Sequence, residues 1–289
     1  MKKITLLFLL STTYILSNIN AVVSILPEKT FVEAIGGEKV NVSLMVKPGN
    51  SPHTYEPKPS QMLDISKADL YFAIDVEFEK VWLPRFKSLN AKMQVIDLAD
   101  NIEKIKMQQA HHDDSAEHAH HEGHDHEGDD PHIWTAPKNV KIIAENIYEA
   151  LVKADAKNSS YYKKNLQTFL ASVEATDAKI KEILSALKGS RKFMVFHPSW
   201  GYFAEAYNLE QIAVEVEGKE PKPKALIHLL QEAKEEKVIA IFTQPEFSDS
   251  VSKIIANELH ISVVKVSPLA PNWSENLIGI ANAIAGKDQ

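Results

Sequence analysis

The sequence predicts an α/β protein in which two similar parallel-sheet lobes are joined by one long rigid helix. Short apolar runs alternate with helical patterns near the N-terminus, and the same alternation returns near the C-terminus. Strict alternation of strand and helix is typical of a parallel sheet. Between the two sets, an uninterrupted amphipathic pattern covers 158–189. We therefore expect one lobe over 22–157, a linking helix over 158–189 and a second lobe over 190–289.

The first lobe has four predicted strands with helices between them. The apolar, β-branched runs that predict these strands lie at 22–26, 40–46, 70–74 and 93–99. A helix follows the first strand, because Pro27 stands near the start of an amphipathic pattern and Gly36 and Gly37 stand at its end. Further helices are expected over 60–67 and 137–152.

The linking helix keeps its apolar residues on one stripe at helical spacing. These residues are Leu166, Phe169, Leu170, Val173, Ile180, Ile183, Leu184 and Leu187. Asn158 or Ser159 can cap its start, and Gly189 can cap its end. At about 1.5 Å per residue the helix would be ~45 Å long, and such a rigid connection predicts small lobe motions on binding. The second lobe again has four runs typical of buried parallel strands, at 192–197, 211–216, 238–243 and 262–267.

The N-terminal residues have the pattern of a secretory signal peptide. Lys2 and Lys3 precede a mostly apolar run, and Ala21 follows a short polar stretch. The run is shorter than the ~20 apolar residues that span a bilayer, so we expect residues 1–21 to be cleaved off near Ala21. The chain has no cysteine. It therefore forms no disulfide and has no site for a lipoprotein anchor, and we expect a monomer in a Gram-negative periplasm.

The net charge of −7 is concentrated in one segment, 111–130, which holds eight acidic residues and no basic one. The chain has no basic stripe of the kind that nucleic-acid binding requires. The same segment is rich in histidine: His111, His112, His118, His120, His121, His124 and His126. Because it lacks apolar anchors, we expect a flexible loop over 108–130 that binds several zinc ions weakly, and less well below about pH 6.

Five histidines lie outside that segment. His228 falls in an amphipathic helical pattern and His260 at a helix-to-strand junction, so both are expected to be surface or boundary residues. His53 comes shortly after the second predicted strand, and His197 directly after the fifth. Ligand sites in open parallel sheets form beyond the carboxyl ends of strands, so these two would face each other across a cleft between the lobes. His132 of “DPHIW” precedes a helix and is the candidate third member.

Three imidazoles with one open or carboxylate position are a normal environment for Zn²⁺. In a chain without cysteine, histidine is the softest ligand available, which favours zinc over magnesium and calcium. The fourth position stays open between water, Glu56 of “TYEP” and Glu246 of “TQPEF”. Each glutamate has an equally good alternative role, which is to accept hydrogen bonds from loop backbone.

Three segments carry a family resemblance: “GNSPHTYEPKPSQMLDISKADLYFAIDVEFEKVWLPRF”, “DPHIWTAPKNV” and “FHPSWGYFAEAYNLEQIAVEVEGKEPKPKAL”. They resemble, in the same order, the signatures of the zinc-uptake subgroup of metal-specific ABC-transporter solute-binding proteins (cluster A-I). The resemblance implies two α/β lobes joined by one long helix, with His53, His132 and His197 as the metal ligands between them. It also implies that the protein is not an enzyme: it would capture Zn²⁺ in the periplasm and deliver it to an ABC permease.

Three other functions compete with zinc delivery. Manganese-binding relatives carry a carboxylate where His197 stands and an aspartate where this chain has Ser267, so a manganese- or iron-specific protein of the same family is disfavoured. A zinc-dependent hydrolase also uses three histidines, but the chain has no H-E-x-x-H and no evident pair of general base and oxyanion donor. An adhesin or a zinc buffer without transport would share these features, and the residues do not separate them.

Overall fold

A computed structural model describes residues 18–108, 128–215 and 219–287 of the protein. In these ranges the strands form two four-stranded parallel sheets, one in each lobe. Numbered along the chain within its lobe, each sheet has the order second, first, third, fourth strand. The two orders are equivalent, so the lobes repeat one topology. This confirms the predicted α/β class with two similar parallel-sheet lobes. Within the described ranges, no helix combines the length and the apolarity that crossing a bilayer needs.

In the first lobe, helices cross over between parallel strands. The strands are β1 (Ile19–Val23), β2 (Val40–Leu44), β3 (Leu70–Ala73) and β4 (Gln94–Asp97). The helices are α1 (Leu26–Gly36), α2 (Pro59–Lys67), α3 (Glu77–Leu89) and α4 (Pro137–Ala154).

Two features of this lobe differ from the sequence-based expectation. β1 begins at Ile19 and not at residue 22, because Ile19 pairs with Val40 and extends the strand into the segment assigned to the leader. The sequence patterns also did not locate α3. Pro84 lies inside this helix, and its inward-facing residues Phe78 and Phe86 are separated by a run of apolar and basic residues that obscures the helical period.

The linking helix, α5 (Ser159–Ser185), has 27 residues and ends short of the expected Gly189. It contacts α1 and α4 of the first lobe and α9 (Trp273–Ile284) of the second. Asn165 Nδ2 donates a hydrogen bond of 3.0 Å to the carbonyl of Ile35, and the Thr176 and Ser274 hydroxyls are 2.6 Å apart. One rigid element is therefore fixed to both lobes.

The second lobe repeats the arrangement of the first. Its strands are β5 (Lys192–Val195), β6 (Glu210–Ala213), β7 (Ile241–Thr243) and β8 (Val263–Lys265). Its helices are α6 (Gly201–Ala206), α7 (Pro223–Glu235), α8 (Ser250–Leu259) and α9 (Trp273–Ile284). The last helix packs back against α5, and the Trp273 ring meets Phe31 of α1 edge-on at 5.8 Å.

The main hydrophobic core runs without interruption from the first lobe through the contact between lobes into the inner face of the second. A smaller core, which includes Met194, Ile212 and Leu229, lies on the outer side of the second sheet. Two indoles also join the lobes by hydrogen bonds. Trp134 Nε1 donates to the carbonyl of Pro268 and Trp273 Nε1 to the carbonyl of Trp134, both at 2.7 Å.

Candidate metal site

The structure brings His53, His132 and His197 together between the two lobes. Each offers one ring nitrogen, and these three atoms all lie within 4.8 Å of one another. The Nε2 atoms of His53 and His197 are 3.1 Å apart. Nitrogens bound ~2.0–2.1 Å from a tetrahedral zinc would stand ~3.3 Å apart, so this pair is already close to the ligand spacing. In the described part of the chain, no other three histidine, cysteine or acidic side chains are grouped so closely as a possible metal site.

His53 and His197 are placed by the ends of parallel strands, one from each lobe. His53 lies in the loop after β2 and is half-buried, while His197 follows β5 and is buried. The Gln244 side chain fixes the backbone of His197 from the end of β7. Its Oε1 accepts from the His197 amide at 3.2 Å, and its Nε2 donates to the His197 carbonyl at 2.8 Å.

His132 is held by a short 3₁₀ turn, Ile133–Thr135, which leads into α4. The amide and the hydroxyl of Thr135 both donate to the His132 carbonyl, at 3.1 and 2.9 Å. Only 3% of His132 is exposed, so the ring has a fixed environment. The turn and the start of α4 therefore fix the position of His132.

Each of the three histidines has a carboxylate on its other ring nitrogen. His132 Nδ1 lies 2.7 Å from Asp130 Oδ1, and His197 Nδ1 lies 2.8 Å from Glu215 Oε1. His53 Nδ1 lies 3.1 Å from Glu77 Oε2. A carboxylate that accepts a hydrogen bond from Nδ1–H keeps the proton on that nitrogen, fixes the ring orientation and leaves the Nε2 lone pair free for a metal. The three Nε2 atoms are therefore presented to a common point.

Sequence reasoning did not find these three carboxylates. Asp130 was counted with the acidic tract, although its position two residues before His132 in “DPHIW” was the available signal. Glu77 and Glu215 gave no signal, because each is far in sequence from its histidine and meets it only in the folded lobe.

The position of Glu77 is fixed through Glu79, a buried residue of the same helix. Glu79 accepts hydrogen bonds from the amides of Ile74 and Asp75, at 3.2 and 2.9 Å, and from the Ser24 hydroxyl at the end of β1. These bonds tie the start of α3 to the carboxyl ends of β1 and β3. Glu77 thus reaches His53 from a fixed helix terminus.

Burial and the neighbouring carboxylates shift the pKa values of the histidines in opposite directions. Burial lowers the pKa of His53, but the adjacent Glu77 and the more distant Glu215 outweigh it, so this pKa is raised. Although burial raises the pKa of Glu77, the contact with His53 lowers it to about 2. The pKa of His197 is lowered, mainly by burial. The His197 imidazole is therefore neutral near pH 7, whereas the His53 imidazole is protonated more readily.

The cleft around the three rings is narrow and largely apolar. The other residues that line it are Ser51, Pro52, Trp134, Gln244, Glu246, Phe247, Pro268 and Leu269. The Phe247 ring stacks on His197 with centroids 5.5 Å apart. Apolar walls keep water away and strengthen the attraction between a cation and its ligands.

The two glutamates considered for a fourth ligand differ in position. Glu246 lines the cleft, is partly buried, and has a pKa raised by burial. Glu56 is exposed and does not line the cleft. The Ser267 hydroxyl accepts a 3.1 Å hydrogen bond from the Leu269 amide.

The remaining histidines stand apart from the cluster or outside the described residues. His228 is exposed on α7, and His260 is exposed at the end of α8. The seven histidines of 111–126 lie outside the described residues. The described residues that flank this tract are paired: Lys106 and Asp129 form an antiparallel bridge, and the Asp130 amide donates to the Ile105 carbonyl at 2.8 Å.

The sequence matches the protein family described as “Zinc-uptake complex component A periplasmic” over residues 21–285. A crystal structure of ZnuA is 40% identical and superimposes with a TM-score of 0.83, covering 94% of this chain and 100% of that one. A crystal structure of a ZnuA deletion mutant with zinc bound has the same identity and TM-score and covers 94% of this chain and 98% of that one.

Two curated relatives are less similar in sequence than these two structures. The zinc-binding protein AdcA of Streptococcus pyogenes serotype M3 is 27% identical over 261 residues, which are 87% of this chain and 50% of AdcA. A putative metal-binding protein of Chlamydia muridarum is 28% identical over 272 residues, which are 91% of this chain and 89% of that protein. This chain therefore spans about half the length of AdcA and most of the length of the chlamydial protein.

Proposed function

Because this chain belongs to the family of the periplasmic zinc-uptake complex component A, we propose that it captures Zn²⁺ and delivers it to a membrane permease. The ion is the cargo, and no bond in a substrate is made or broken. His53, His132 and His197 are the proposed ligands: the first two come from the first lobe and His197 comes from the second. The curated relative AdcA is named as a zinc-binding protein, which agrees with this assignment.

The observation that carries the proposal is the carboxylate behind each imidazole. Three imidazole nitrogens, each orientated by a carboxylate, suit zinc, which accepts nitrogen ligands in tetrahedral geometry. A manganese site would favour oxygen ligands, and neither His197 nor Ser267 supplies a carboxylate. For the fourth position we favour water or Glu246, since Glu246 lines the cleft and Glu56 does not.

Calorimetric titration of single alanine variants with Zn²⁺ tests the assignment. His53→Ala and His197→Ala should each weaken the tight site by more than the ~10–100-fold that is typical when only an outer partner of a ligand is lost. His228→Ala is the matched control, because His228 is exposed on α7, outside the cleft. If His53→Ala and His197→Ala bound zinc as tightly as His228→Ala, the proposed site would be wrong.

The location and the partners follow from the same proposal. We propose export to the periplasm through cleavage of the N-terminal leader, without a lipid anchor, since the chain has no cysteine. The loaded protein would act as a monomer and dock on an ABC permease. Reconstitution with the permease from the same transport locus, with zinc uptake into vesicles as the readout, would separate delivery from mere zinc buffering.

A further inference from the structure

Asp130, the carboxylate behind His132, is enclosed by residues of the second lobe. It is fully buried. Its Oδ1 accepts a 2.9 Å hydrogen bond from the His132 amide and lies 2.7 Å from the His132 ring nitrogen. Its carbonyl accepts a 3.0 Å hydrogen bond from the hydroxyl of Tyr202, at the start of α6. The residue that orientates His132 is thus held from across the contact between the lobes.

The other side of the Asp130 carboxylate lies against Gly201. A β-carbon added at Gly201 would stand 2.5 Å from Asp130 Oδ2, closer than real contacts allow. It would also stand 3.2 Å from Ile105 Cδ1 and 3.3 Å from Gln211 Nε2, so the space is closed on several sides. Gly201 does not have a positive φ. Glycine is therefore required here for space and not for backbone conformation.

The Tyr202 hydroxyl fixes two backbone segments at once. It donates to the Asp130 carbonyl and accepts from the Ile105 amide at 3.3 Å. Ile105 and Asp130 are themselves joined by a backbone hydrogen bond of 2.8 Å. The paired ends of the histidine-rich tract are thus clamped onto α6, immediately before the ligand His132.

We propose that Gly201 and Tyr202 are positioning residues for His132, acting through Asp130. This inference rests on the proposed zinc site and adds to it a dependence of one ligand on the contact between the lobes. The start of α6 sets where the Asp130 carboxylate lies, and Asp130 sets the orientation of the imidazole. Zinc affinity would then depend on residues that never touch the ion.

The central test replaces Gly201 by alanine. Ala is normally preferred to Gly in a helix, so a loss cannot come from helix propensity. Gly201→Ala should weaken zinc binding by about 10–100-fold, the range for lost outer partners of a ligand. The ring N–H proton of His132, which is shifted downfield by its carboxylate partner, should move or vanish from the NMR spectrum of the zinc-free protein. Gly279→Ala on α9 is the matched control, because a β-carbon there meets nothing within 4 Å.

A double-mutant cycle separates positioning from general damage to the fold. Asp130→Ala removes the oxygen that the new methyl group would meet, so adding Gly201→Ala to it should cause no further loss of zinc affinity. The proposal would be overturned if the losses of zinc affinity in the two single variants added up fully in the double variant. It would also be overturned if Gly201→Ala bound zinc as tightly as the parent. If Gly201→Ala does not fold, Tyr202→Phe decides. It removes one hydroxyl without adding volume and should weaken binding by about 3- to 10-fold, and an unchanged affinity would overturn the proposal.

His132→Ala distinguishes failure of this inference from failure of the proposed function. If His132→Ala loses tight zinc binding and the α6 variants do not, the zinc site stands and the positioning role falls. If His132→Ala binds zinc as the parent does, the proposed site itself is wrong.

Discussion

At the residue scale, the site depends on a repeated unit of two side chains. His53, His132 and His197 are each paired with a carboxylate of the same lobe. Every carboxylate holds the proton on Nδ1, and so a cation that binds at Nε2 is partly neutralised through the ring. The unit explains how three imidazoles, which would repel each other if protonated, remain together in a narrow cleft.

The proton that His53 holds should make zinc affinity depend on pH near neutrality. An imidazole must be neutral to bind a metal, so zinc displaces the proton that Glu77 stabilises on His53. The affinity should fall as pH decreases through the raised pKa of His53, by ~10-fold per pH unit for each proton displaced. It should fall more steeply once His197, whose pKa is lowered, also becomes protonated.

Calorimetry in buffers of different ionisation enthalpy measures the protons released per zinc. The parent should release a fraction of a proton to about one proton near pH 7. Glu77→Gln removes the charge that raises the pKa of His53, so proton release at that pH should decrease and the pH profile should shift to lower pH. Unchanged proton release in Glu77→Gln would show that His53 is not the group displaced.

At the element scale, strand ends and loop bases place the ligands. β2 is an edge strand of the first sheet and β5 a central strand of the second, and each is followed by a loop that carries one of the three clustered histidines. The sequence was sufficient to predict His53 and His197, because apolar runs mark where parallel strands end. It was not sufficient for Glu77, because Pro84 obscured the helix that carries it, or for Glu215, whose contact forms only in the folded second lobe.

Deleting residues 111–126 should leave the tight zinc site intact. The ends of the tract are joined by the Lys106–Asp129 bridge and the bond from the Asp130 amide to the Ile105 carbonyl, so the excision does not reach His132. Calorimetry should still show one tight zinc per chain, while the weaker zinc ions bound by the parent disappear. Loss of the tight zinc would mean that the tract contributes a ligand to it.

The extent of β1 makes a prediction about where the leader is cleaved. Ile19, Asn20 and Ala21 pair with β2, and the Asn20 amide donates to Asp69 at 2.8 Å. Cleavage after Ala21 would remove three of the five residues of a central strand. We therefore expect cleavage upstream of Asn18, for which the small residue Ser17 offers a site.

The mass and N-terminal sequence of the exported protein check this directly. A mature chain that begins at Asn18 is the expected result. Replacing Ser17 by phenylalanine should impair processing without touching β1. A mature chain that begins at Val22 would show that the sheet tolerates the loss of three of the five residues of β1, and the boundary before Asn18 would be wrong.

At the scale of the whole molecule, the two lobes behave as one joined body. The linking helix contacts both lobes, and the main core passes through the contact between them. The indoles of Trp134 and Trp273 donate hydrogen bonds across that contact. A large rotation of one lobe would break both bonds and expose core residues. Zinc capture and release should therefore involve small tilts and local changes in the ligand loops.

Spin labels on the two lobes measure this motion, and the absence of cysteine allows labels to be placed without other substitutions. Leu63 on α2 and Ile227 on α7 are exposed, one in each lobe, so both tolerate a labelled cysteine. The distance between them should change by less than about 2 Å when zinc is added, the range of rigid binding partners. Trp273→Phe removes the indole N–H that bonds to Trp134 and should broaden the distance distribution of the zinc-free protein. A zinc-dependent change many times larger in the parent would show that the long helix permits a domain rotation.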